Sequence, residues 1–314
     1  MEFLDFNGCE LSSRAYGGMS GAKVGIIYHG EYYLLKFPKG KSSGGYKNVE
    51  LSYSNSPTCE YMGSHIYKML GFPVHKTLLG TRNGKTVVAC KDFRQRENEF
   101  LDLLEFREIK TTMEPPLMDE HGDETDGNGT KLSEVLRVID EHPLLKRHPE
   151  TKKRFWDMFI VDAFIGNADR NNGNWGLLVS FDNHEELAPI YDNGACLNNK
   201  WDDAKMQRFM IDTSLFRAQA YNGVICVYRK DNGKSINPFQ YLKNTENKDC
   251  RDEMKWLIPK IHSTRLEIQS FIENFPSLSE TQKTFYKRIL ERRIQHAFLP
   301  IYEQQFQKGK SLGR

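Results

Sequence analysis

The chain has 314 residues, 39% hydrophobic and 27% charged, which excludes a disordered protein and provides for one or two domains with a sizeable core. Lys and Arg outnumber Asp and Glu by only 44 to 42, so no general positive field draws the chain to nucleic acid or to an anionic membrane, and no specific nucleic-acid partner is expected. No run approaches the ~18 apolar residues of a membrane span, and the six cysteines contain no CxxC pair, which excludes a zinc ribbon or a thioredoxin-like couple and fits a reducing compartment.

The first ten residues are acidic where a cleavable export signal needs a basic segment and an apolar run. The default compartment is therefore the cytoplasm, and only a route without such a signal leads out of it. Cys9 to Tyr16 reads as a strand leading into the glycine-rich stretch Gly17-Gly18-Met19-Ser20-Gly21. Val24–Tyr28 and Tyr32–Phe37 flank a His29-Gly30 turn and read as a hairpin. A polar loop follows from Lys39 to Asn48. Tyr61, Ile66, Met69 and Leu70 predict a helix over about 58–70, stopped by Gly71 and Pro73. Two further strands, 74–80 and 86–90, surround the Arg82-Asn83-Gly84 turn.

Beyond about residue 94 the pattern turns helical. An acidic loop spans 111–131; its Asp119, Asp123 and Asp126 miss the spacing of a calcium loop. Phe155, Trp156, Phe159, Ile160, Ala163 and Phe164 put one apolar face on a helix over about 149–166. Ser277 and Glu280 form a capping-box pattern before a long helix reaching about Phe306. There is no internal repeat and no heptad seam.

The chemistry concentrates in Phe164-Ile-Gly-Asn-Ala-Asp169-Arg170-Asn-Asn-Gly-Asn174-Trp175-Gly176 and in Ile190-Tyr191-Asp192-Asn193-Gly194. Phosphoryl transfer requires positioning and charge neutralisation more than covalent help. An Asp, an Asn five residues later, then a strand and Asp-x-Gly supply a base (Asp169) and two oxygen ligands for Mg²⁺ (Asn174 and Asp192). A polar loop held by turn hydrogen bonds would explain either motif alone, but not the pair.

Upstream, Lys36 stands in an apolar strand, where a charge needs a partner, and Glu60 in the next helix can provide one. The plainer reading is an edge-strand lysine beside a solvated glutamate. The Gly17–Gly21 loop, with Ser20 in it and Lys23 at its exit, has the order of a phosphate-binding hairpin, although a glycine-rich hairpin is by itself only a turn. Val87 to Asp92 ends the strand-rich half, where an adenine-binding hinge belongs, so Cys90 and Asp92 are nucleotide candidates through their backbone.

Taken together, Gly-Gly-x-x-Gly, Lys36, Glu60, Asp169-x₄-Asn174 and Tyr191-Asp192-x-Gly resemble the HipA-like Ser/Thr protein kinases. Residues 36–38 (KFP), 87–93 (VVACKDF), 156–159 (WDMF), 172–176 (NGNWG) and 247–250 (NKDC) have the texture of the compact, stand-alone CtkA-type members. The resemblance implies an α+β, two-lobed protein-kinase-like fold, with a small β-rich lobe over residues 1–94 and a larger helical lobe over 95–314. It implies ATP and Mg²⁺ as cofactors, and a Ser or Thr hydroxyl on a protein as acceptor, with autophosphorylation within reach. Residue by residue it puts Lys23 and Lys36 on phosphates, Asp169 as base, Asn174 and Asp192 on Mg²⁺, and Tyr191 in the nucleotide pocket.

The sequence departs from the longer relatives in three places. It lacks their extra N-terminal segment and encodes no helix-turn-helix partner, so no antitoxin is indicated. Asn171 stands where the family often has His. Tyr16 falls near their self-phosphorylated serine, with Ser20 in the same loop. The strings around Asp169 and Asp192 are also similar to type II phosphatidylinositol 4-kinases, which makes a lipid acceptor one alternative; a nucleotide-binding pseudokinase scaffold is the other.

Overall fold

The hairpin sequence supplies its own turn. In the computed structural model, which describes residues 2–14, 16, 23–38, 55–96, 99–118 and 124–307, His29 and Gly30 both have positive φ, 49° and 76°. Two such residues give the twist that joins antiparallel strands directly. After two short strands, β1 (Leu4–Asp5) and β2 (Glu10–Leu11), the turn links β3 (Lys23–Tyr28) to β4 (Glu31–Lys36). The next elements are α1 (Ser56–Met69), with Pro57 in its first turn, then β5 (Thr77–Arg82) and β6 (Lys85–Lys91). The strands form one sheet in the order β1-β5-β6-β4-β3-β2. Lys36 pairs with Lys23 on one side and Val88 on the other, so it stands on an interior strand and not at an edge. The strand expected over residues 9–16 contracts to Glu10–Leu11. The loop after the hairpin, 39–48, lies outside the described residues, as do Asp119 and Asp123.

One face of this sheet carries a small core of Phe6, Ile26, Tyr33, Leu35, Val87 and Ala89. The other face receives α1, whose Cys59, Met62, Ile66 and Tyr67 are fully buried in the large core that also contains the helices beyond residue 130.

The helical half begins with a strand that the sequence reading does not contain. β7 (Asp102–Glu105) pairs with β8 (Gly176–Val179), and β8 with β9 (Glu185–Leu187). Asp-Leu-Leu-Glu has little strand character of its own, and the partner strand decides its conformation. Gly176 makes the pairing possible, because a Cβ there would lie 2.1 Å from the Leu104 carbonyl oxygen.

Between these strands run α2 (Phe106–Thr111), α3 (Leu132–Glu141), α4 (Pro143–Lys146) and α5 (Glu150–Ile165). From Phe155 onward every residue of α5 is buried, so this helix is enclosed on all sides and not packed by one stripe. Gly166, with φ +70°, ends it in the left-handed conformation that glycine tolerates.

Four more helices follow, α6 (Asp203–Ile211), α7 (Thr213–Tyr221), α8 (Pro238–Asn244) and α9 (Lys248–Glu273), and then α10 (Glu280–Arg293). The last expected helix is real but composite. It continues from α10 through a π-helical turn (Ile294–Phe298), α11 (Leu299–Tyr302) and a second π turn (Glu303–Gln307). Its capping box is Ser279 with Gln282, two residues beyond the predicted Ser277 and Glu280. No helix among the described residues is long and apolar enough to cross a membrane.

Candidate active site

The site lies where the end of α5, the loop 167–175 and the segment after β9 meet the inner face of the sheet. Its foundation is a buried charge. Asp162 sits inside the apolar helix α5, 5% exposed, and a carboxylate there must be satisfied. Arg170 does this, with Nε donating to Asp162 Oδ2 at 2.9 Å, while the Tyr67 hydroxyl and Asn167 Nδ2 donate to Oδ1 at 2.7 and 3.0 Å. The rest of the guanidinium reaches the Asn174 and Tyr191 carbonyls and Asn193 Oδ1. Burial opposes its charge, but Asp162 holds the Arg170 pKa well above the ordinary arginine value. One side chain thus fixes both chemistry-bearing segments to each other.

On this base, Asp169 projects into the open. Its Oδ1 accepts a hydrogen bond from Asn171 Nδ2 at 3.0 Å, so the residue at the family's histidine position orients the carboxylate. Asn174 Nδ2 donates to the Asp169 carbonyl at 2.5 Å, and the residue borders the cleft. Asp192 adopts φ +56°, a conformation that costs a non-glycine residue energy and is held by its neighbours. Those neighbours are tightly fixed. The Tyr191 hydroxyl donates to the Gly173 carbonyl at 3.1 Å, and the fully buried Asn193 gives its N–H to Glu60 Oε1 at 2.8 Å and its Nδ2 to Ser64 Oγ at 2.9 Å.

Lys36 closes the arrangement from the sheet. Its Nζ lies 2.8 Å from Glu60 Oε2 and 2.8 Å from Asp192 Oδ1. Burial disfavours the ammonium, but Asp192 and Glu60 outweigh it and raise the lysine pKa well above its usual value. Glu60 shows the reciprocal effect: burial raises its pKa, and Lys36 and His75 bring it well below the carboxylate range. His75 Nε2 lies 3.1 Å from both Glu60 Oε1 and Ser64 Oγ.

Two cavities meet at Lys23, Lys36, Asp169 and Asp192. One, of about 430 Å³, runs past Leu34, Cys90, Phe93 and Tyr191, apolar and aromatic groups that suit a nucleobase, among mostly polar lining residues. The other, of about 700 Å³, opens past Ala195, Trp201 and Ile225, on the side where an acceptor would enter.

Of the residues singled out in the sequence, Lys23, Lys36, Glu60, Cys90, Asp92, Asp169, Asn174, Tyr191 and Asp192 all border one or both cavities. Gly17, Gly18, Ser20 and Gly21 lie outside the described residues. The Asp92 side chain is committed to structure. Both of its oxygens pair with Arg94 at 2.9 Å, Arg14 approaches at 3.5 Å, and its N–H donates to the Tyr32 carbonyl. Tyr16 borders the cavity of about 430 Å³, with its hydroxyl buried near Asp92. Burial and the nearby Asp92 push its pKa up to about 12.

Sequence reasoning overlooked the roles of Asp162, Arg170, His75 and Asn193. A signal did exist for Asp162, since a carboxylate within Phe-Ile-Val-Asp-Ala-Phe-Ile calls for a buried cation.

No family model matches the chain. It is 36% identical over 296 residues to the serine/threonine-protein kinase CtkA of Helicobacter pylori strain J99, an alignment covering 93% of this chain and 86% of that protein. The crystal structure of the H. pylori proinflammatory kinase CtkA superposes with a TM-score of 0.85 at 35% identity, covering 97% of this chain and 98% of the other. HipA of Shewanella oneidensis MR-1, solved with HipB and operator DNA, shares the fold at a TM-score of 0.58 and 13% identity, covering 94% of this chain and 68% of HipA.

Proposed function

This chain belongs to the HipA-like serine/threonine-protein kinases of the CtkA type, and we propose that it transfers the γ-phosphoryl group of MgATP to a protein hydroxyl through Asp169, Asn174, Asp192 and Lys36. The observation that carries the assignment is the convergence on one cleft of Lys36 with Asp169 and Asp192, which lie more than 130 residues further along the chain, over a foundation in which the buried Asp162 and Arg170 are paired.

In this reading the nucleotide lies between the sheet lobe, residues 1–94, and the helical lobe, residues 95–314. Leu34, Cys90 and Phe93 enclose the base, and Tyr191 closes the pocket beside it. Cys90 offers only its backbone, because burial pushes its thiol pKa far up and keeps it neutral. Lys36, pinned in its charged form by Glu60, is directed at the non-transferred phosphates, and Lys23 flanks it on the paired strand. Gly17, Gly18, Ser20 and Gly21 are proposed as phosphate contacts on their sequence pattern alone.

The Asn174 amide oxygen and the Asp192 carboxylate are hard oxygen donors of residues that border the same cavity, a set that fits Mg²⁺. When bound, the ion neutralises charge on the transferring phosphates. Asp169 has an oxygen beyond the one that Asn171 engages. It accepts the proton of the attacking hydroxyl as the new O–P bond forms and ADP departs. The acceptor would enter past Trp201 and Ile225, which line the larger cavity. The acceptor is a protein of unspecified identity, the default compartment is the cytoplasm, and no antitoxin is assigned.

Asp169→Asn tests the assignment. Loss of base assistance should lower transfer to a protein acceptor by roughly 10²–10⁴-fold, with MgATP affinity and thermal midpoint unchanged. Equal turnover by the variant would remove Asp169 from the role.

A further inference from the structure

A second region of the helical half gathers charge that catalysis does not use. The π-helical turn Ile294–Phe298 interrupts the helix that carries Arg292, Arg293 and His296. Such turns re-aim the side chains around them and are frequent at functional sites. Beside it lie two adjoining cavities of about 360 and 450 Å³, both bordered by Tyr221 and His296. The first adds Arg217 from α7 with Arg292 and Arg293 from α10, and the second adds Lys243.

The charge here is one-sided. Among the described residues, Glu303, at the far end of the second cavity, is the one carboxylate along either wall. Among the described residues, none of Arg217, Arg292, Arg293 and Lys243 is ion-paired with a carboxylate. Burial, then the nearby Arg292 and Arg217, holds the His296 pKa below its ordinary value. Arg293 is the extreme case. It is 2% exposed, among the described residues its guanidinium donates only to the Phe164 and Ala220 carbonyls, at 2.8 and 3.3 Å, and burial depresses its pKa to about 10. A cation that deep ordinarily has an anionic partner. Solubility asks for interspersed signs on a surface, not for cations crowded around one cavity.

We propose that this cavity is an anion site built for a phosphate group, outside the catalytic cleft. Guanidinium groups pair with phosphate oxygens two at a time. Arg217 and Arg292 approach from two packed helices, His296 adds a donor, and Arg293 contributes charge from beneath. Arg293 also borders the acceptor cavity, and its guanidinium lies against Gly166, the residue that ends α5. A bound phosphate is therefore linked through one side chain to the start of the catalytic loop.

The test uses the full chain saturated with Mg²⁺ and a non-hydrolysable ATP analogue, so that the lysines of the cleft are occupied. Calorimetric titrations in chloride buffer compare inorganic phosphate, a phosphoserine peptide and its unphosphorylated form. Both phosphate-bearing probes should bind and the unphosphorylated peptide should not. The double variant Arg217→Glu/Arg292→Glu changes two solvent-facing side chains and should bind the probes roughly tenfold more weakly or worse, with its nucleotide affinity and thermal midpoint retained. A peptide that binds more tightly than free phosphate assigns the site to phosphorylated side chains, and equal affinities assign it to free phosphate. The proposal is overturned if the nucleotide-saturated wild type binds neither probe, if the double variant binds as well as wild type, or if removing the phosphate from the peptide leaves its affinity unchanged.

Discussion

Beneath the catalytic loop, Arg170 is 3% exposed and spreads its guanidinium over Asp162, Asn193 and the carbonyls of Asn174 and Tyr191. Above the loop, Asp169, its neighbour in the chain, is exposed and engages one oxygen with one amide. The lower cluster spends all of its hydrogen-bonding capacity on the protein, whereas the upper one keeps lone pairs in reserve. Charges whose partners are complete hold shape, and charges with open valence remain available to a ligand. Lys36 stands between the two regimes, since both of its carboxylate partners are present but the second belongs to the reactive rim.

Substitution should separate the two clusters. The largest effect is expected from Arg170→Met, which leaves Asp162 buried without its cation. Breaking a buried pair on one side costs about 3–5 kcal/mol; Tyr67 and Asn167 remain as donors and place this case near the lower end. Chemical denaturation should show the loss, and activity should fall with stability, in contrast to Asp169→Asn. An unaltered midpoint would mean that the foundation does not depend on the arginine.

Lys36→Ala is expected to behave as an intermediate. Glu60 keeps His75 and the Asn193 N–H, so the fold should survive, while turnover falls roughly 10²-fold through loss of one preorganised charge. Steady-state kinetics beside a melting curve would locate the lysine. A variant that loses stability but not turnover would move it into the structural cluster.

The smallest effect concerns a charge that is neither well paired nor reactive. Burial, reinforced by Glu253, pushes the Asp157 pKa up to about 8, and its Oδ1 is buried without a partner. A carboxyl with a raised folded-state pKa binds extra protons in the native state. Its contribution is fully present below the ordinary aspartate value of 3.8 and is lost progressively as pH rises to about 8. Asp157→Asn should flatten that slope and melt about 2–4 °C above wild type at pH 8, with a smaller gain at pH 5. Parallel pH profiles for the two proteins would show that Asp157 does not titrate in this window.

Much of the rim could be read from the sequence because its spacing is local. Asp169 and Asn174 sit five residues apart after a helix stop, and Asp192 precedes its own Asn-Gly. Lys36 and Glu60 were legible as a pair because a charge in an apolar strand demands a partner. The foundation was not legible, because its contacts join positions such as Tyr67 and Asp162, 95 residues apart, and no local pattern encodes that pairing. β7 escaped for a related reason, since its conformation is imposed by β8. The enclosure of α5 was under-read because its apolar run continues around the whole helix. The basic cavity at the end of α10 was also hidden, since Arg217 and Arg292 become neighbours only when α7 and α10 pack.

The burial of α1 limits how this enzyme can be controlled. Withdrawing Glu60 from Lys36 by swinging the helix outward would extract Cys59, Met62, Ile66 and Tyr67 from the main core. At about 1.5–3 kcal/mol for each large apolar side chain, the excursion would consume much of the 5–15 kcal/mol that holds a typical domain folded. This helix is a keel and not a throttle. The ion pair is assembled as the chain folds, and a brake on the enzyme has to act somewhere other than on this helix.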